Sequence, residues 1–590
     1  MRYFCLAFFL FLINLAATAV PAKRVAVQLP QPDGTTITAF LCGDENCHFY
    51  ITEEGDMLIQ DENGFYRKAL DSEVDSVKTL WTKKLQIRNS RRIERLAANK
   101  RNANSKARKA FGEPSIIIGK KKGLVILVDF KDKTFKAANN LTEFSNQFNK
   151  KGYSNNGHIG SVRDYFYDQS YGKLDIEFDI IGPVTMSKEA SYYGQNNKDG
   201  DDKYPGELVA EACKLADKKG INFKDYDWDG DLEVEQVFII YAGYGEHWSG
   251  VKNDLWPHEF TLKDEHDYYG DGAGPITIDG VKIDTYAMSC ELRGASGSNI
   301  NGIGTACHEF SHCLGIPDFY DTSYEGGFGM VQWDIMDQGS YNGPNGYGEV
   351  PAGFTAYERY FAGWLNFTEL SKPCTITDMP ALQDEPIAYA IYNDGNRNEY
   401  FILENRQNNR WFKYISGTDK TSTNIHGMLI YHVDYDPFAW KENEPNNDSK
   451  HQRMSIIPAD GNYGTYYSAY GIYQPTISQL SGDIFPGSKN ITTLNNTSHL
   501  STGGKLFNKN TDGTYYMNKP ISSIAESSGF ISFKFMGGGT DTAIEEISTN
   551  VHNEASAPEY FTLSGEKIDK PQQRGIYIMR QNNITKKIIK

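Results

Sequence analysis

The chain has 590 residues, a formal net charge of −16 and a mean hydropathy of −0.54, with 37 tyrosines and 32 phenylalanines. That is too long for one small domain and too aromatic for a disordered chain. The acidic balance gives no reason to expect nucleic acid or an anionic membrane surface as a partner, and eight thinly spread cysteines make no disulfide scaffold.

The first residues, MRYFCLAFFLFLINLAATAV, read as a secretory signal over 1–19: one basic residue, an apolar run, then small residues, with cleavage expected after Ala19. The run is short for a bilayer span, so export to the cell surface or medium is expected, with no transmembrane segment. A leader follows over 20–112. Its first part alternates apolar and polar residues around the turn sequences GDEN and DENG, which predicts antiparallel hairpins. From Lys83 to Lys122 the chain becomes basic and poor in acids. Such a stretch is a solvated linker or a protease-sensitive junction ending near Gly112 to Pro114; in an exported enzyme the junction is the preferred reading.

Over 113–370 strand-like and helix-like segments alternate, which predicts an α/β (α+β) domain. GLVILVDF and VEQVFIIYAGYG read as buried strands, and GELVAEACKLADKKG as an amphipathic helix closed by glycine. Between them, DYDWDGDLEVEQ sets Asp225, Asp227, Asp229 and Asp231 at alternate positions around Gly230. Hard oxygen donors so spaced suit calcium. Gln236 stands where a bidentate glutamate is usual, so Glu233 or Glu235 would supply that contact; an acidic surface turn is the alternative.

The segment GTACHEFSHCLGIPDFYDT spans 304–322. On a helix, His308 and His312 share one face and can aim their imidazoles at one ion, leaving Glu309 beside it as a general base. Gly315 lets the chain turn sharply, and Asp318 returns as the expected third ligand by spacing, with Asp321 as a rival. Two imidazoles, one carboxylate and an open position suit catalytic zinc. Met336, in the Gly-flanked stretch GMVQWDIMDQGSYNG, is expected to form the hydrophobic floor of a methionine turn.

Beyond residue 370 helical periodicity fades, which predicts an all-β sandwich over 371–537. After the linker MGGGTDT, a last β module is expected over 541–590.

These motifs together resemble the secreted zinc metalloproteases of the immune inhibitor A type, a metzincin-related group of bacteria. The resemblance is carried by GSVRDYFYDQSYGKLDIEFDIIGPV, DWDGDLEVEQVFIIYAGYGE, LWPHEF, HEFSHCLGIPD, WDIMDQGSY, FILENRQ and GMLIYHVDY. It implies a propeptide, an endopeptidase domain and a β-rich region behind it. Many metzincins carry a tyrosine two residues after the methionine; Gln338 stands there, and Tyr341 is the substitute candidate for the oxyanion. Cys42, Cys47, His48 and the nearby acids are leader groups able to block the metal, with a Cys42–Cys47 disulfide as the alternative. The last module resembles the sorting domains of the gliding-associated secretion system of Bacteroidetes; a plain terminal β module is the alternative. The expectation is therefore a secreted, monomeric, zinc-dependent endopeptidase of extracellular proteins, made as a zymogen. A surface binding protein with an inactive peptidase-like domain, or a zinc amidase acting on cell-wall material, is the competing reading.

Overall fold

The computed structural model describes residues 22, 26–43, 48–80, 116–197, 200–269, 273–323, 327–415, 425–467, 472–474, 477–498 and 516–539, with short strands between 559 and 589. The expected signal, most of the basic junction and Cys47 lie outside the described residues.

The leader forms the antiparallel meander that its alternation predicts. Strands β1 (Ala26–Pro30), β2 (Thr36–Gly43), β3 (His48–Thr52), β4 (Met57–Gln60) and β5 (Tyr66–Lys68) lie in sequence order. The DENG turn closes through Gly64 at φ +87° and an Asp61 carboxylate that accepts from Asn63 N–H at 2.8 Å.

The next sheet has the order β7-β6-β8-β12-β9. Its four parallel strands are β6 (Gly119–Asp129), β7 (Leu174–Thr185), β8 (Val237–Tyr244) and β12 (Thr285–Leu292); β9 (Glu259–Thr261) pairs antiparallel at the edge. A small hairpin, β10 (Ile276–Ile278) with β11 (Val281–Ile283), stands apart. The apolar run in β6 serves two cores at once. Val125 and Leu127 face helices Leu141–Asn149, Val162–Gln169 and Gly304–His312, while Leu124, Ile126 and Val128 face helix Pro205–Asp217. A strand covered on both faces needs such an uninterrupted run.

Helix Gly304–His312 is anchored from beneath by Phe310, whose ring lies 5.0 Å from Phe178 and 5.5 Å from Phe238. Phe310→Ala should therefore cost about 3–5 kcal/mol of stability, read as a lower urea midpoint at unchanged slope.

Residues after 365 are β-rich. Strands β13 (Thr368–Glu369), β15 (Tyr389–Asn393), β16 (Asn396–Arg406), β17 (Gly427–Asp434) and β18 (Met454–Ile456) form one sheet in that order. Strand β14 (Cys374–Met379) joins β22 (Phe530–Phe535) and β21 (Ile521–Ser527) in a second, and β19 (Thr465–Tyr467) pairs with β20 (Ile472–Gln474). Tyr389 and Phe533 touch across the first two, rings 5.9 Å apart. The region is not wholly β, as the alternation suggested: helices Pro437–Lys441 and Ile477–Asp483 interrupt it. The first is started by the Asp436 carboxylate, which accepts from Phe438 and Ala439 N–H, with Pro437 at the first helical position. One hydrophobic cluster runs without a break from Val125 and Phe310 to Phe535.

Residues 541–590 form a separate compact unit. Its strands β23 (Glu559–Phe561), β24 (Lys567–Ile568), β25 (Ile576–Gln581) and β26 (Ile584–Ile589) pair antiparallel in the order β24-β23-β25-β26. Among the described residues, no helix is long and apolar enough to cross a membrane.

Candidate metal centre

The helix carrying the two histidines begins where backbones meet closely. Gly304 N–H donates to Gly348 O at 2.9 Å, and a Cβ on Gly304 would stand 1.8 Å from Ser340 O. The far end closes at Gly315, φ +82°, whose N–H donates to His312 O.

Each histidine meets a backbone carbonyl through Nδ1: His308 to Ile335 O at 2.7 Å, His312 to Ile316 O at 2.8 Å. A carbonyl can only accept, so both rings carry their proton on Nδ1 and turn an Nε2 lone pair inward. Burial pushes His312 down to about 4, which keeps it neutral near pH 7. The inward side holds Asp318, whose Oδ1 lies 3.1 Å from His308 Nε2 and 3.8 Å from His312 Nε2. All three side chains are buried. His308 Nε2 and Asp318 Oδ1 have no hydrogen-bond partner. Acceptors facing one another at this spacing repel unless a proton or a cation lies between them, and the spacing matches zinc bonds of about 2.0–2.2 Å at tetrahedral angles. Glu309, fully buried, sits with Oε2 4.0 Å from His312 Nε2. Asp321 is taken up by its own turn, accepting from Ser323 N–H at 2.9 Å and Gly327 N–H at 2.7 Å.

Met336 is buried within a turn held by Asp334, whose carboxylate accepts from Met336 N–H at 2.8 Å. The turn serves the site through its backbone as well, since Ile335 supplies the carbonyl that orients His308. Tyr341 lies 5.7 Å ring to ring from Trp248. Its phenol is held well above its usual range by burial, and next by Cys290 and Glu309.

Sequence reasoning missed Asn443. Its Nδ2 donates to Asp318 Oδ2 and its Oδ1 accepts from Asp318 N–H, both at 2.6 Å. Asn443 is wholly buried and left-handed at φ +55°, a conformation that asparagine tolerates better than most residues.

The acidic loop gathers a smaller set than expected. Asp227, Asp229 and Glu235 each bring one oxygen within 4.8 Å of the others. Asp225 instead pairs with Lys122 at 3.2 Å and Glu233 with Lys282 at 3.3 Å, while Asp231 accepts from Glu233 N–H at 2.9 Å. The two lysines arrive from β6 and β11, so the loop's own spacing could not reveal them.

The leader reaches this region from two sides. Cys42, Phe49 and Ile51 pack with Tyr320, two residues past Asp318, while Leu41 and Ala22 pack with Trp256. His48 stacks on Trp256 at 4.5 Å, with Nε2 3.4 Å from Glu246. Among the described residues no disulfide forms.

Residues 117–365 match the family model described as Immune inhibitor A peptidase M6, catalytic domain. The chain is 27% identical over 303 residues to the immune inhibitor A of Bacillus thuringiensis subsp. alesti, covering 43% of this chain and 42% of that one. It is 30% identical over 255 residues to the pre-pro-metalloprotease PrtV of Vibrio cholerae serotype O1 (strain M66-2), covering 38% of this chain and 27% of that one. The chain thus spans less than half the length of these curated relatives.

Proposed function

We propose, from the peptidase match over residues 117–365, that this chain is a secreted zinc-dependent endopeptidase acting on extracellular proteins and made as a zymogen. The observation that carries the reading is the convergence of His308 Nε2, His312 Nε2 and Asp318 Oδ1 beside the Glu309 carboxylate. Zinc, when bound, supplies a Lewis acid for the scissile carbonyl and the attacking water. His308, His312 and Asp318 would hold it. Glu309 takes the proton of the water as it attacks and passes it to the leaving amine. Tyr341, whose phenol feels the charge of Glu309, is the side chain we assign to the carbonyl oxygen during attack.

The division of labour follows the same reading: leader over 20–112, catalytic domain over 113–370, β-rich region over 371–537 and a C-terminal module for secretion over 541–590. A leader hairpin seated against both Trp256 and Tyr320 supports latency by occlusion. Asp227, Asp229 and Glu235 would hold a structural calcium ion.

The test is cleavage of casein by the purified, processed protein. Activity should vanish with a zinc chelator and return with zinc, at about one zinc per chain. Cleavage indifferent to chelation would reject the reading.

A further inference from the structure

The leader sheet meets the peptidase-matched region through both of its faces. Side chains alternate along β3, so His48 and Tyr50 lie on one face and Phe49 and Ile51 on the other. Phe49 and Ile51 pack with Tyr320, while Tyr50, with Leu41 and Ala22, packs with Trp256. Among the described residues, those three leader side chains are the whole of the apolar cluster in which Trp256 is buried. A ring whose apolar company comes from a segment that a zymogen discards is a binding surface rather than core.

His48 makes the most specific contact on that face. Its ring stacks on Trp256, centroids 4.5 Å apart at 26°, and its Nε2 lies 3.4 Å from Glu246 Oε1. Glu246 is 2% exposed, and among the described residues His48 is the one basic side chain at ion-pair distance from it. Asn196 Nδ2 donates to Glu246 Oε1 at 3.0 Å, which satisfies part of the carboxylate but brings no charge. Neighbouring His247 brings none either, because burial pushes it down to about 3 and keeps it neutral near pH 7. His247 is as buried as Glu246, yet neither of its ring nitrogens has a hydrogen-bond partner, and Trp256 Nε1 has none.

A buried carboxylate without a countercharge is costly. With the leader gone, Glu246 would stand beside a bared indole face, and a planar cation satisfies both groups at once. The pair also lies where a peptide would pass. Glu246 shares helix Glu246–Ser249 with Trp248, whose ring is 5.7 Å from Tyr341, and Trp256 leads into β9, the antiparallel edge strand. Given the peptidase and zymogen reading above, on which this rests, we infer that Glu246 and Trp256 form a subsite for an arginine side chain of the substrate, in the place that the leader's His48 fills before processing. Arginine suits it better than lysine, since a guanidinium is flat enough to lie on the indole and its fork of N–H groups meets a carboxylate. The neutral imidazole of His247, 6.2 Å ring to ring from Trp256, offers a further acceptor.

The experiment digests casein and a mixed-sequence peptide library with the processed protein and reads the cut sites by mass spectrometry. Arginine should be enriched at one fixed position relative to the scissile bond, and a peptide with arginine there should exceed its glutamine counterpart in kcat/KM by about tenfold or more. In Glu246→Gln, which keeps an acceptor for Asn196 but no charge, that ratio should fall below about threefold. Should the variant fold poorly, the profile of the parent protein decides alone. Cut sites with arginine enriched at no fixed position, or a ratio kept in full by folded Glu246→Gln, would overturn the subsite and leave the peptidase reading standing. Absence of cleavage of any peptide would instead sink that reading, and the subsite with it.

Discussion

Glu309→Ala should lower kcat/KM for a peptide substrate by about ten-thousand-fold while leaving the zinc content unchanged. Both halves follow from geometry. The carboxylate lies beside the histidine pair, 4.0 Å from His312 Nε2, whereas the closest facing lone-pair atoms are His308 Nε2 and Asp318 Oδ1 at 3.1 Å. Removing it takes away the base and not the metal-binding set. Stability should change little or rise, because a wholly buried carboxylate is relieved of its desolvation. Peptide cleavage, metal analysis and thermal unfolding on one preparation separate these effects. Cleavage at the wild-type rate by the alanine variant would refute the assigned base.

The second large effect is expected 125 residues away from Asp318 in sequence. Asn443→Asp keeps an acceptor for Asp318 N–H but sets a carboxylate where Nδ2 donates to Asp318 Oδ2 at 2.6 Å. Two like charges at that spacing repel, and the Asp318 carboxylate should swing or take a proton. Zinc affinity should fall roughly 10- to 100-fold, the scale seen when a partner of a metal ligand is lost. Since Asn443 touches no reacting group, kcat of the zinc-saturated variant should stay within several-fold of the parent. A competition titration against a chelator reads the first quantity and saturating zinc the second. Aspartate also tolerates the left-handed backbone of Asn443, which isolates the charge from conformational strain. Affinity equal to the parent's would remove Asn443 from the support of the site.

What was legible in the sequence was local. The spacing of His308, Glu309 and His312 is a property of one helix, the turn at Gly315 needs only its own φ, and Asp318 follows within a few residues. The apolar run of β6 likewise announces a strand buried on both faces. The partners of those residues were not legible. Asn443 follows a short helix whose Asp436-Pro437 start could have been recognised, yet nothing nearby says that its amide meets Asp318. The acidic loop shows the same limit in the other direction: its spacing nominated Asp225 and Glu233, and Lys122 and Lys282, brought in by the sheet and the hairpin, claimed them. The β region was read by alternation alone, which passes over helices of five to seven residues because they hold less than two turns of period.

The unbroken apolar cluster from Val125 to Phe535 bears on how this fold can be inherited or engineered. The stretch that matches the peptidase family model ends at Leu365, but the supports of the candidate site do not. Phe319, next to Asp318, lies 6.2 Å ring to ring from Trp440 at a 57° tilt, and Asp318 itself is oriented by Asn443. A transplanted fragment ending at Leu365 would carry the signature motif and the carbonyls that orient its histidines while leaving behind Asn443, which orients Asp318. The portable unit is the mostly parallel sheet and the β-rich region together, and a change in one must be compatible with the other to be retained.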